Sequence, residues 1–333
     1  MSFPRIKKLA TLVAVTAAAT LSLTACGDSG SDPDSASSAD GGESYHIGIN
    51  QLVQHPALDA ATEGFKSAFE DAGVEVEWDE QNANGEQATA LTIAQQFASS
   101  DLDLALAVAT PAAQATVQNL TDVPVLFTAV TDPVEADLVD SLEKPGDNVT
   151  GTSDAAPFEQ QLDLLTQIVP ETKSIGIVYA SGEVNSQVQV DAMTEAAKEK
   201  GIEVVTQTVT NVTEIPQAAE AIGDVDAFYV PTDNMVVSGL SSLIQVAEEK
   251  KIPVIGAEEG TVEGGAVATI GIDYEELGRQ TGEMALRILQ EDADPAEMPV
   301  ETASEFTYVV NEEAAKAQGV TIPQEILDEA ETV

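Results

Sequence analysis

From Tyr45 onward the chain alternates short apolar runs with stretches of helical spacing, and this alternation restricts the fold more than any other feature. The runs read YHIGIN (45–50), VEVEW (74–78), DLALAVA (103–109), VPVLFTAV (123–130), SIGIVYA (174–180), IEVVTQTV (202–209), AFYV (227–230), IPVIGA (252–257), AVATIGI (266–272) and EFTYVV (305–310). Several are apolar at nearly every position, as strands of a parallel sheet covered by helices on both faces must be. Between the first two runs, Leu58, Ala61, Phe65, Phe69 and Ala72 share one helical face, and Gly73 follows where a left-handed cap would end the helix. Strand, helix, strand repeats, and the fold class is α/β.

The alternation has an internal echo. IGI at 47–49 recurs at 175–177 and GVEV at 73–76 returns as GIEV at 201–204, both displaced by 128 residues, while VPVLFTAV meets IPVIGAEE (252–259) at a displacement of 129. Two similar lobes are expected, each with a mostly parallel sheet flanked by helices, and a ligand cleft between them. KPGDNVTG (144–151) reads as the loop dividing them. The lobes would then comprise 45–150 plus about 275–310, and 151–274, with 311–333 packing on one of them. Ligands of such sheets lie beyond the carboxyl ends of the strands.

The first 26 residues, MSFPRIKKLATLVAVTAAATLSLTAC, run from a basic start through an apolar stretch to small residues, the pattern of a secretory signal over 1–25. The ending LTAC resembles the lipobox of bacterial lipoproteins, which implies acylation of Cys26 and a membrane anchor. Cys26 is the sole cysteine, so no intramolecular disulfide can form. The polar, Ser- and Gly-rich run to residue 44 lacks the apolar surface to fold and makes 26–44 a tether reaching about 20–25 Å.

Charge narrows the function classes. Against 58 Asp and Glu stand 13 Lys and Arg, and a surface this acidic repels phosphate backbones and anionic lipid heads, which argues against a nucleic-acid partner. No G-x-S-x-G elbow, P-loop or His-rich metal spacing is present, and the two histidines, His46 and His55, lie close together, so no enzyme, metal or cofactor is expected.

Strand ends supply the candidate site: Gln51 and His55, Thr110 and Pro111, Thr128 and Asp132, then Asp154, Asn185 and Ser186, Tyr229, Asp233 and Asn234, and Glu258. Thr110 followed by Pro111 reads as an N-cap and first-turn proline, whose free amides suit a carboxylate. Of the strand-end acids, Asp233 and Asp132 lead as candidate ligand partners, with Asp154 and Glu258 behind. His55, Tyr229 and Phe127 are the rings available for stacking. Ser186 and Gln189 have capping-box spacing, as do Asp273 and Glu276. On the 128-residue echo, Glu183 falls on His55 and Asn185 on Ala57, so SGEVNSQ and QLVQHPAL would face each other across the cleft.

GINQLVQHPALDAATEGF, AVATPAAQA, VLFTAVTDPVEADLV, NVTG, IGIVYASGEVNSQ, DAFYVPTDNMV and KIPVIGAEEG together resemble the substrate-binding lipoproteins of ABC transporters of the tryptophan/tyrosine type, over about residues 45–310. The resemblance implies a type I periplasmic-binding-protein fold, capture of a small zwitterionic ligand by lobe closure, and delivery to an ABC permease by a monomeric, extracytoplasmic, lipid-anchored protein. Aromatic amino acids are the ligands it favours; a sugar or nucleoside, or a sensing role for a partner receptor, are the alternatives.

Overall fold

The computed structural model describes residues 44–303 and 306–333. The expected signal segment, Cys26 and all but the last residue of the tether lie outside the described residues.

The first lobe is laid down as β1 (Tyr45–Gln51), α1 (Pro56–Ala72), β2 (Val76–Asn82), α2 (Gln87–Phe97), β3 (Leu104–Val108), α3 (Thr110–Val117), β4 (Val125–Val130) and β5 (Val149–Ser153). The chain then crosses to α4 (Phe158–Ile168), β6 (Ser174–Ala180), α5 (Val184–Glu199), β7 (Glu203–Val209), α6 (Ile215–Ile222), β8 (Ala227–Val230), α7 (Asn234–Ser238), α8 (Leu240–Lys250), β9 (Val254–Gly256), α9 (Glu259–Glu263) and β10 (Ala268–Gly271). It returns for α10 (Tyr274–Glu291) and β11 (Glu301–Thr302), and closes with β12 (Thr307–Val310), α11 (Glu312–Gln318), α12 (Gln324–Leu327) and β13 (Glu331–Thr332). Among the described residues no helix is long and apolar enough to cross a membrane.

The sheet orders explain the echo. The first sheet runs β2-β1-β3-β4-β5-β11 and the second β7-β6-β8-β9-β10-β12-β13, so β1 to β5 and β6 to β10 occupy equivalent places. Within each, the pairings are parallel, and the antiparallel β10–β12 pair is the exception. The fully buried runs LALAV and VLFTAV become the central strands of the first sheet, as apolarity on both faces requires.

Two expected boundaries move. Residue 150 falls inside β5, a fully buried strand of sequence VTGTS that pairs with β4, where a loop was expected. Its Thr and Ser residues hid it: Thr150 donates to the Met298 carbonyl, and Thr152 shares its hydroxyl with Thr128 and Thr281, so polar side chains are satisfied inside the lobe. The expected return segment to about 310 is also too long, because Thr307–Val310 pairs with β10 in the second sheet.

Packing ties α10 to α1. A Cβ on Gly278 would sit 1.9 Å from the Ala61 carbonyl oxygen, and one on Gly64 would sit 1.9 Å from that of Glu275. The two helix backbones thus touch, which fixes α1 and the residue that starts it, His55. Gly73 takes φ +69°, the left-handed cap expected of it.

Candidate functional site

Loops at the carboxyl ends of strands from both sheets meet between the lobes. An enclosed cavity of about 20 Å³ lies there, walled by His55, Leu58 and Ala129 from the first lobe, Asp233, Asn234 and Glu258 from the second, and Asp154 and Tyr274 at the crossings. Beside it a larger cavity of about 430 Å³ shares Asn234 as a wall and adds Leu52, Val53, Pro111, Glu183 and Met235.

The two echo loops do face each other. His55 stands at the N-cap of α1 and Glu183 at the N-cap of α5, and Asn234 joins them: His55 Nε2 lies 3.3 Å from Asn234 Oδ1, and Asn234 Nδ2 donates to Glu183 Oε2 at 2.6 Å. The Asn234 and Met235 amides also donate to Glu183, so this acid, left open by the sequence, orders the start of α7. Burial, followed by the neighbouring charge of Asp233, pushes the Glu183 carboxyl up to about 7. Burial pulls the His55 imidazole below its usual range.

The acids divide into committed and uncommitted groups. Asp233 caps α7: one oxygen accepts from the Val236 amide at 2.8 Å and the other from the Ala180 amide at 2.6 Å. Asp132, half-buried on a groove outside the enclosed cavity, accepts from the amides of Val134 and Glu135 and closes its own turn. Asp154 Oδ2 accepts from the Tyr274 hydroxyl at 2.8 Å, but its Oδ1 has no partner, and neither does either oxygen of Glu258. Burial raises both carboxyls, and with the charge of Asp154 added, Glu258 is pushed up to about 8, the nearby Gly260 amide opposing the rise.

The remaining candidates separate by partner. Asn185 donates to Glu183 and to the Thr232 carbonyl and leaves its Oδ1 unpartnered, while Thr110 is buried with a free hydroxyl. Pro111 walls the larger cavity. Gln51 is spent on Asp59 and Thr62, Thr128 on Thr152, and Tyr229 on Gln161 deep in the second lobe, where burial raises its hydroxyl; Phe127 is core. Of the eight buried side-chain polar atoms without a partner among the described residues, six belong to His55, Thr110, Asp154, Asn185 and Glu258. Unmade bonds are therefore concentrated at strand ends, the other two being Asn50 Oδ1 and Thr269 Oγ1.

Two capping assignments change. Helix α3 begins at Thr110 itself, with Ala109 at φ +80° in the cap position, and α5 begins at Val184, so Ser186 lies inside the first turn with its hydroxyl buried against Asn185. Gln189 is not a box partner; it bonds Thr232 from α5. Asp273 does cap α10, accepting from the Glu275 and Glu276 amides. That cap puts Tyr274 at the first helical position and its hydroxyl on Asp154, a contact the sequence reading missed although the capping pair marked the helix start. Among the described residues no group of three or more His, Cys, Asp or Glu is arranged to hold a metal ion.

Comparison with known proteins agrees with this architecture. Residues 46–333 match the family described as ABC transporter substrate binding protein. A tyrosine-binding protein of Clostridioides difficile is 42% identical over 320 residues, covering 93% of this chain and 92% of the relative. The crystal structure of an ABC domain in complex with L-Trp from Streptococcus pneumoniae superposes with a TM-score of 0.84 at 36% identity, over 87% of this chain and 100% of that one. A ligand-free, open substrate-binding protein from Clostridium difficile gives a TM-score of 0.67 at 45% identity, over 87% and 99%. The two parallel-sheet lobes are those of a type I periplasmic binding protein.

Proposed function

The chain belongs to the family of ABC transporter substrate-binding proteins, and on that premise we propose that it captures an aromatic amino acid as a zwitterion, by closing its lobes, and hands it to an ABC permease. The family is one of binding proteins rather than enzymes. The observation that carries the reading is the cluster of unmade polar bonds at the strand ends between the two lobes, in a chain whose relatives bind tyrosine and L-Trp. Closure is supported by the superpositions: the open relative matches less well at 45% identity than the L-Trp complex does at 36%.

An amino acid presents opposite charges, and the two lobes differ in what they offer. In the second lobe acids occupy the starts of α5, α7 and α9 as Glu183, Asp233 and Glu258, so that wall favours an ammonium. In the first lobe α3 starts at uncharged Thr110 and Pro111, with no acid in its first turn, and its free amides and the Thr110 hydroxyl favour a carboxylate. The enclosed cavity holds about one water, so a whole amino acid takes its place only as His55 and Asn234 move apart. The larger cavity, with Leu52, Val53 and Met235, supplies apolar surface for a ring. Export, acylation of Cys26 and tethering through residues 26–44 complete the reading: a monomeric, extracytoplasmic protein held near its permease.

A thermal-shift panel of the twenty amino acids, with sugars and nucleosides alongside, tests this. Tyrosine or tryptophan at 100 times its dissociation constant stabilises by about 2.7 kcal/mol. Shifts with a sugar or nucleoside and none with any amino acid would sink the ligand assignment and leave the family standing.

A further inference from the structure

We propose that the ligand's protonated amine is seated between Asp154 and Glu258, where the chain crosses between the lobes, and that its arrival displaces a proton from this acid pair. The inference deepens the amino-acid reading above and rests on it.

Both carboxylates line the same enclosed cavity, Asp154 at 5% and Glu258 at 2% exposure. Three of their four oxygens have no partner, and the fourth is held by Tyr274. Buried acceptors left unmade are costly, and two carboxylates facing each other without a cation more so. The other acid on that wall, Asp233, has both oxygens filled by amides, and Glu183 behind Asn234 accepts from four N–H groups. The Gly260 amide and the Thr131 hydroxyl lie near the pair without completing a bond to the three open oxygens, so what it lacks is well-placed donors and positive charge together. An ammonium brings three N–H donors and one charge, one donor for each open oxygen; a water or a sugar hydroxyl brings no charge.

Around Glu258 stand Asp154, Tyr274 at the start of α10, His55 at the start of α1, Asp233 before α7, and Glu259 and Glu263 on α9. None of these is a lysine or arginine, so without a ligand cation only a bound proton relieves the pair. Burial and Asp154 keep Glu258 protonated up to about 8 in the unliganded protein. A cation between the two offsets the burial and the Asp154 charge, the proton leaves, and binding tightens as pH rises toward about 8, by up to about tenfold per pH unit.

The test is titration calorimetry of the mature protein with L-tyrosine and L-tryptophan, with their desamino acids, 3-(4-hydroxyphenyl)propionate and 3-(indol-3-yl)propionate, and with tyramine and tryptamine. The variants are Glu258→Gln and Asp154→Asn. The proposal expects both amino acids to lose at least about a hundredfold in affinity in either variant, and the desamino acids to bind the unaltered protein at least as much more weakly. It also expects tyramine and tryptamine to bind the unaltered protein and neither variant, and binding heats that change with the buffer's ionisation enthalpy as a proton is released. Because the desamino comparison uses the unaltered protein, it holds even where a variant folds poorly. Amino acids and desamino acids binding alike, or variants binding as well as the parent, would overturn the seat while the amino-acid reading stands. No binding of either amino acid to the unaltered protein would overturn both.

Discussion

Glu258 is a carboxyl whose surroundings favour its proton, and that has a consequence for the unliganded protein. Its ordinary value near 4.5 is raised to about 8 on folding, so between those values the folded state holds a proton that the unfolded chain has lost. Stability therefore falls as pH rises through this window. Glu258→Gln removes the titrating group, so its unfolding midpoint in urea should match the parent near pH 4 to 4.5 and exceed it increasingly toward about pH 8. Equal midpoints at all pH values would show that the carboxyl is not desolvated. At this scale strand-end placement was legible in the sequence and hydrogen-bond commitment was not. Strand-end placement picked out Asp154, Asp233 and Glu258 among 58 acids, but it put Asp233 and Asp132 first. Their oxygens go to backbone amides of Ala180 and Val236, and of Val134 and Glu135, and only the first of these donors lies far along the chain.

Among the elements, α10 decides most. It leaves the second lobe, lies against α1 with backbone touching backbone at Gly64 and Gly278, and carries Tyr274 to Asp154 at its first turn. Gly278→Val must push the helices apart, since its first side-chain carbon would lie 1.9 Å from the Ala61 carbonyl oxygen. A loss of about 3 kcal/mol in urea unfolding is expected, and with α1 displaced, weaker ligand-induced stabilisation. An unchanged midpoint would mean that α1 and α10 are not in contact. The strands with apolar runs, and helix α1 with its Gly73 stop, were legible because their periodicity reports burial directly. Strand β5 was not, because VTGTS is polar by composition and becomes core only through hydroxyl bonds to Thr128, Thr281 and Met298. The helix starts slipped for a related reason: Thr110 and Ser186 are residues that cap, yet the cap positions fall to Ala109 and Glu183.

For the whole molecule the question is what holds the lobes together. His55 reaches Asn234 at 3.3 Å, and Gln87 Nε2 reaches the Gly182 carbonyl at 2.9 Å, each bond spanning the two lobes. Removing both in a His55→Ala, Gln87→Ala double variant costs the closed form about 2 kcal/mol, about thirtyfold in the open-to-closed ratio. Small-angle scattering of the unliganded variant should give a larger radius of gyration than the parent, and ligand should narrow the difference. Identical radii without ligand would show that these bonds do not bias closure. The amino-acid sequence by itself determined the α/β class, the doubling into lobes and the strand-end loops, because apolar periodicity and its 128-residue echo are local patterns that each lobe satisfies on its own. Which loop residues remain uncommitted was decided only by the tertiary structure. A buried oxygen is free or filled according to donors brought from the opposite lobe or a distant helix, and no spacing along the chain records them.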